Sequence, residues 1–149
     1  MTEQIRVPNI EQYTQEIINN ELILTPKKKY ITENELNMTR IANSSIIECV
    51  IKEEEQIISN KTTYRSILID IWKYMPAQVI LQTTTFNMKL TDEKGEKGYN
   101  WCNDIRMSFQ CKDSKGTLKE IVNMVKVNKL NISLTIRLET GRIICFRIE

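Results

Sequence analysis

The hydrophobic positions along the chain change period near residue 76: before it they recur at helical spacing, and after it they mostly alternate. Ile10, Tyr13 and Ile17 share a helical face behind an Asn9/Gln12 capping pair, which predicts a helix over 10–20. Leu22 to Pro26 reads as extended, because a proline biases the residue before it away from helix. Thr32 and Glu35 form a second capping box, with Ile31 and Leu36 as a hydrophobic staple, and this helix should stop near Ala42–Asn43. Ser45 and Glu48 make a third box. Ile46/Ile47, Val50/Ile51 and Ile57/Ile58 then recur at helical intervals, so 46–58 is expected as helix. A strand is the competing assignment there, since Ile and Val favour strands. The clearest helix is 63–75, where Tyr64, Ile67, Leu68, Ile71, Trp72 and Met75 make one wide apolar face and Pro76 ends it.

Alternation predicts strands over 79–90 and 99–112, joined by the charged loop Asp92 to Gly98. Thr117 and Glu120 suggest a capping box for a helix over 118–128, whose apolar face is Leu118, Ile121, Val122 and Val125. Residues 130–138 alternate strictly, Thr140-Gly141 signals a two-residue hairpin turn, and a last strand follows over 142–148, with Glu139 opposite Arg142. The expected fold class is α+β: N-terminal helices followed by an α-β-β-α-β-β unit with one antiparallel sheet, helices on one face and the other face open. Residues 1–149 are expected as a single domain, with a helical segment over 1–60 and the α-β-β-α-β-β unit over 61–149. In that arrangement Tyr99, Trp101 and Phe109 point to the core and Trp101 faces Trp72. The open face carries Arg106, Ser108, Gln110, Lys112, Ser133, Thr135 and Arg137, with Thr83 and Thr85.

Composition removes whole classes of chemistry. With no histidine among 149 residues there is no Ser–His or Cys–His pair and no histidine metal ligand. The four glycines form neither GxxxxGK[ST] nor GxGxxG, so no phosphate-cradling loop and no cofactor is expected. Cys49, Cys102, Cys111 and Cys145 lack CxxC spacing and read as free packing thiols in a reducing cytoplasm. No run of 18 apolar residues argues for a membrane span, and residues 1–8 do not read as a secretory leader. The bias to 23 Ile and 13 Asn against 2 Ala is that of an AT-rich coding source such as a bacterium, virus or protist. The net charge of +2 hides a gradient: residues 1–58 carry 6 basic and 10 acidic side chains, residues 105–149 carry 9 and 4.

Two function classes remain. The first is a non-catalytic cytosolic protein–protein interaction protein, of inhibitor, immunity or assembly-subunit type, bound to a protein partner or a second copy of itself. Its motive is the last strand, with Ile144, Phe146 and Ile148 on one face and Ile143 and Cys145 on the other; a half-exposed strand does not need both. Ile143, Cys145 and Arg147 are the expected contacts. The alternative is a nucleic-acid-binding accessory protein, with Arg106, Lys112 and Arg137 meeting phosphates on the basic sheet face. Against it stands the assignment of the aromatics to the opposite, core face, since RNA-reading sheets offer rings on the binding face. A helix-turn-helix over 32–52 is disfavoured by Glu48, Glu53, Glu54 and Glu55, which repel a phosphate backbone. A nuclease-type site around Gln110-Cys111-Lys112 fails on reach. Asp92 lies at the far hairpin tip, and Asp104 is about 20 Å away along a strand. No catalytic residue is expected.

Overall fold

The computed structural model describes residues 13–26, 28–90 and 97–149. In chain order the elements are β1 (Tyr13–Ile18), β2 (Glu21–Pro26), α1 (Glu33–Met38), β3 (Ser45–Glu53), β4 (Gln56–Ser59), α2 (Tyr64–Tyr74), α3 (Ala77–Thr83), β5 (Met88–Lys89), β6 (Asn100–Cys102), β7 (Met107–Phe109), α4 (Ser114–Val127), β8 (Asn131–Arg137) and β9 (Ile143–Ile148). Among the described residues these form three antiparallel sheets: β1-β2, a four-stranded sheet ordered β4-β3-β8-β9, and a small sheet ordered β5-β7-β6. The molecule is mixed α and β with antiparallel sheets, as expected, but the sheets are assembled from different pieces.

Two of the three expected N-terminal helices give way to hairpins. Within the described part of 10–20, Tyr13–Ile18 is a strand, and residues 10–12 lie outside the described residues. The β1–β2 turn is Asn19-Asn20, both with positive φ (51° and 65°), as a two-residue type I′ turn requires. Asparagine tolerates that region better than most residues, so the turn signal was present as Asn-Asn. Residues 46–58 likewise form β3 and β4, turning at Glu54-Glu55 with Glu54 at φ 52°. The paired isoleucines fit either period, and β8 decides between them by pairing with β3 from Ser45↔Arg137 to Lys52↔Asn131. The Thr32/Glu35 capping box is real: Thr32 Oγ1 accepts from Glu35 N and Glu35 Oε1 from Thr32 N, both at 3.1 Å. Its helix ends at Met38, short of residues 42–43.

Later elements split where alternation was expected to run on. The strand expected over 79–90 is α3 plus the two-residue β5. Pro76 both ends α2 and caps α3, and burial of Ile80 overrides the strand preference of Val79 and Ile80. The strand expected over 99–112 is broken by a turn at 103–106, where Arg106 takes φ 52°. The unit after residue 61 therefore runs α-α-β-β-β-α-β-β, and its two hairpins belong to separate sheets. Helix α4 starts earlier than the Thr117/Glu120 pair implied. Asp113 is its N-cap, accepting from Gly116 N at 2.7 Å. The β8–β9 connection is one residue longer than a two-residue turn. Leu138 N donates to Arg142 O and Gly141, at φ 88°, donates to Leu138 O. Glu139 therefore does not face Arg142; it meets Arg40 at 3.6 Å and Asn43 at 3.2 Å.

One continuous core joins the buried face of the large sheet (Ile46, Cys49, Ile51, Ile132, Leu134, Ile136, Ile144, Phe146) to α2, α4 and the small sheet. Trp72, 1% exposed, is packed edge-on against Phe86 and Phe109, with ring centroids 5.4 and 5.2 Å away. Trp101 is not its partner, a correction taken up below. Glu120 is completely buried and, among the described residues, forms no ion pair. Its carboxylate accepts from Thr84 Oγ1 (2.6 Å), Thr85 N (2.9 Å), Thr85 Oγ1 (3.2 Å) and Asn123 Nδ2 (3.0 Å), which ties α4 to the segment after α3. Lys126 reaches Glu33 at 2.8 Å, and Lys115 donates to the terminal carbonyls Leu36 O and Thr39 O, so α4 also holds α1.

Replacing Trp72 by Ala should cost about 3–5 kcal/mol, as for other large-to-small changes in a packed core. Trp101→Ala should cost clearly less, since that residue is only partly buried. Urea unfolding of both variants checks the pair; equal losses would contradict the packing described.

Candidate functional site

The large sheet has one buried and one uncovered face. Along β8 and β9, residues 132, 134, 136, 144 and 146 are buried, while 131, 133, 137, 143 and 147 are exposed. Pairing aligns the uncovered residues in rows: Ser45, Arg137 and Ile143; Glu48, Thr135 and Cys145; Val50, Ser133 and Arg147. A bulge between Ile46 and Glu48 turns two successive residues, Ile47 and Glu48, outward together. Ile143 and Ile57 are each 53% exposed and Ile47 is 43% exposed. Ile57 pairs with Lys52 and so stands on the same face.

Ile143, Cys145 and Arg147, the three contacts expected from sequence, are thus brought together on this face. Sequence reasoning missed Ile47, Val50 and Ile57, because it placed them on a helix. Within the chain, the side of β9 that carries Ile143, Cys145 and Arg147 is only partly covered. Cys145 is half-buried, Ile143 and Arg147 are exposed, and neither 10–20 nor 46–58 covers them as a helix. Tyr30 forms a parallel bridge to Cys145, Ile31 N donates to Cys145 O at 2.8 Å, and Arg147 lies 4.1 Å from the Tyr30 ring centroid. A shallow depression lies beside them, lined by Tyr30, Glu48, Val50, Lys52, Ser133 and Arg147 among others.

Arg106, Lys112 and Arg137 are not brought to one face. Arg137 stands on the large sheet. Arg106 sits on the 103–106 turn, 5.8 Å from the Trp101 ring centroid. Lys112 lies beyond the end of β7, donating to Thr85 O at 3.1 Å and 4.9 Å from the Phe86 ring centroid. The single basic sheet face is therefore divided between two sheets. The turn at 103–106 also reverses the assignment of Tyr99 and Trp101, while Phe109 lies in the core as expected. Trp101 pairs with Ser108, which pairs in turn with Lys89, so it stands on the side of the small sheet away from Phe109 and Met107. Ser108, expected on the open face, is itself buried at the centre of the small sheet.

Among the described residues no group of three or more Cys, Asp or Glu side chains is placed to hold a metal ion, and no helix is long and apolar enough to cross a membrane. The four thiols are free and differ sharply in setting. Cys49 and Cys102 are buried, Cys145 half-buried beside Thr135 Oγ1 (3.8 Å), and Cys111 exposed, accepting from Asn100 Nδ2 at 3.2 Å. Burial, reinforced by the adjacent Glu48 carboxylate, pushes the Cys49 thiol up from 9.0 to about 12.

Compared with known proteins, the chain matches no family model, no curated protein and no solved structure.

A thiol reagent at neutral pH should label Cys111 first and Cys49 only on unfolding, read by mass spectrometry of the digested protein. Because the folded state holds the Cys49 proton more tightly than the unfolded chain, its contribution to stability is complete below about pH 9 and is lost as pH rises through about 12. Cys49→Ala should reduce the alkaline slope of stability in denaturant titrations across that window; an unchanged slope contradicts the assignment.

Proposed function

We propose that the protein is a non-catalytic protein-interaction module whose docking surface is the uncovered face of the four-stranded sheet around Ile143, Cys145 and Arg147. The observation that supports this reading is the set of exposed isoleucines on a face that the core does not use: Ile143, Ile57 and Ile47, with Val50 half-buried between them. Exposed aliphatic side chains gathered on one face mark an interaction surface more often than scattered ones do. The charges around them point to the class of partner. Arg137, Arg147 and Lys52 alternate with Glu48 and Glu149, a mixed field that opposes a uniformly anionic ligand and complements a protein surface. In such an interface each isoleucine is a dry contact point set among ion-forming residues. Inhibitor, immunity and assembly-subunit roles all fit, and work in the cytoplasm is part of the same proposal.

Ile143→Lys and Ile47→Lys should leave unfolding midpoints within about 0.5 kcal/mol of the parent, as for surface positions. The same changes should abolish self-association in light scattering, or retention of the partner in affinity capture from the native source. Unfolding of these variants would place both side chains in a core instead. A parent chain that stays monomeric at its highest soluble concentration, with no protein retained, removes the reading.

A further inference from the structure

We propose that the cavity lined by Trp72 and flanked by Arg65 and Lys112 is a binding site for a small monocarboxylate with an apolar body. It lies between α2, β7 and the start of α4, and it uses none of the large-sheet residues. The cavity is about 270 Å³, its mouth included, and its walls are Leu68, Ile69 and the three packed rings Trp72, Phe86 and Phe109. Trp72 is 1% exposed. Its Nε1 is the one buried side-chain polar atom among the described residues that has no hydrogen-bond partner. Edge contacts with Phe86 and Phe109 pack the indole but bring no oxygen to accept that proton. Native interiors seldom keep a buried N–H without an acceptor, because its lost hydration is then not replaced. An acceptor from outside the chain supplies what the fold leaves out.

The charges around the cavity set the sign of the ligand. Arg65 lies 5.4 Å from the Phe109 ring centroid, and Lys112 Nζ lies 4.9 Å from that of Phe86. Those two rings are the ones packed edge-on to Trp72, so each cation is one ring away from the indole. Lys112 is fixed there by donating to Thr85 O at 3.1 Å, which leaves two of its three donors. Arg65 forms no hydrogen bond or ion pair with a described residue. Among the described residues no Asp or Glu lines the cavity; Asp113, next to Lys112 in the chain, is turned to its capping bond with Gly116 N. Two cations and a buried N–H are all donors, and a carboxylate is all acceptor: it can take the indole proton and the charged donors together. The aromatic and aliphatic walls oppose a hydrated polyanion and suit a ligand whose remainder is apolar. The volume falls below the roughly 300–1,000 Å³ of drug-sized sites, which limits that body to a single ring or a short branched chain.

The experiment uses the full chain carrying Trp101→Phe, which leaves Trp72 as the one tryptophan, with benzoate and 3-methylbutanoate as probes. Expected are a saturable change in Trp72 emission and a downfield shift of the single indole N–H proton resonance as it gains an acceptor. Benzamide, the same shape without the charge, should bind at least about 10-fold more weakly than benzoate. Acetate, the charge without the body, should lose at least about as much. Arg65→Gln and Lys112→Gln alter exposed residues, so both should stay folded by circular dichroism, and each should weaken benzoate binding about 3- to 10-fold. In the parent chain bound benzoate should slow alkylation of Cys111, which lines the same cavity. No saturable change up to the solubility of either probe, or an indole resonance that does not move at saturation, overturns the proposal. So does benzamide or acetate binding as tightly as benzoate, or unchanged benzoate affinity in both folded charge variants.

Discussion

The pairing of β3 with β8 is the constraint on which the rest of the structure depends. It joins Ser45–Lys52 to Asn131–Arg137 in antiparallel register and so closes a loop over more than half the chain. Closing a loop of that length costs only modestly more entropy than closing a short one, but contacts this distant in sequence form late in folding. Once made, the ladder gives β4 and β9 an edge each to pair with, and gives α2 and α4 a continuous apolar face to cover. Ile51 and Ile132, opposite each other in the ladder, are both buried, while Lys52 and Asn131, one step along, are not. One register thus sets which side of the sheet becomes core and which stays uncovered.

A second layer hangs on that core through groups that are costly to misplace. Trp72, Phe86 and Phe109 lock α2 to the small sheet through edge-to-face packing. Glu120 does the same for α4 and the segment entering β5. A buried carboxylate without a cation persists only where several donors converge on it, and here two hydroxyls, a backbone N–H and an amide do so. These contacts hold the small sheet with Met107 and Phe109 inward, which leaves Tyr99 and Trp101 outward. The uncovered face of the large sheet is a by-product of the same arrangement: it is the side of the sheet that the shared core does not need.

Much of the architecture was legible in the sequence wherever one amphipathic element is bounded by clear punctuation. The helix read as 63–75 is Tyr64–Tyr74, the strands read as 130–138 and 142–148 are Asn131–Arg137 and Ile143–Ile148, and the Thr32/Glu35 box is formed as read. In each, the local pattern admits one period only. From those strands alone Ile143, Cys145 and Arg147 could be placed on one side of a sheet, and the structure places them there. The absence of histidine and of glycine-rich loops also limited the chemistry without any fold in hand.

Tertiary structure decided the rest, for two physical reasons. Adjacent pairs such as Ile46/Ile47 and Ile57/Ile58 satisfy a helix and a strand equally, so only a distant partner, β8, selects the strand and puts Ile47, Val50 and Ile57 on the face that carries Ile143. And in a strand every side chain's face depends on parity, so one turn reverses everything beyond it. The turn at 103–106, with Arg106 in a left-handed conformation, carries Trp101 from the core side to the other side of the small sheet, and the joining of the two hairpins to different sheets separates Arg106 and Lys112 from Arg137. Residue types and local periods were fixed by the chain; which faces they share was settled only when strands far apart in sequence found each other.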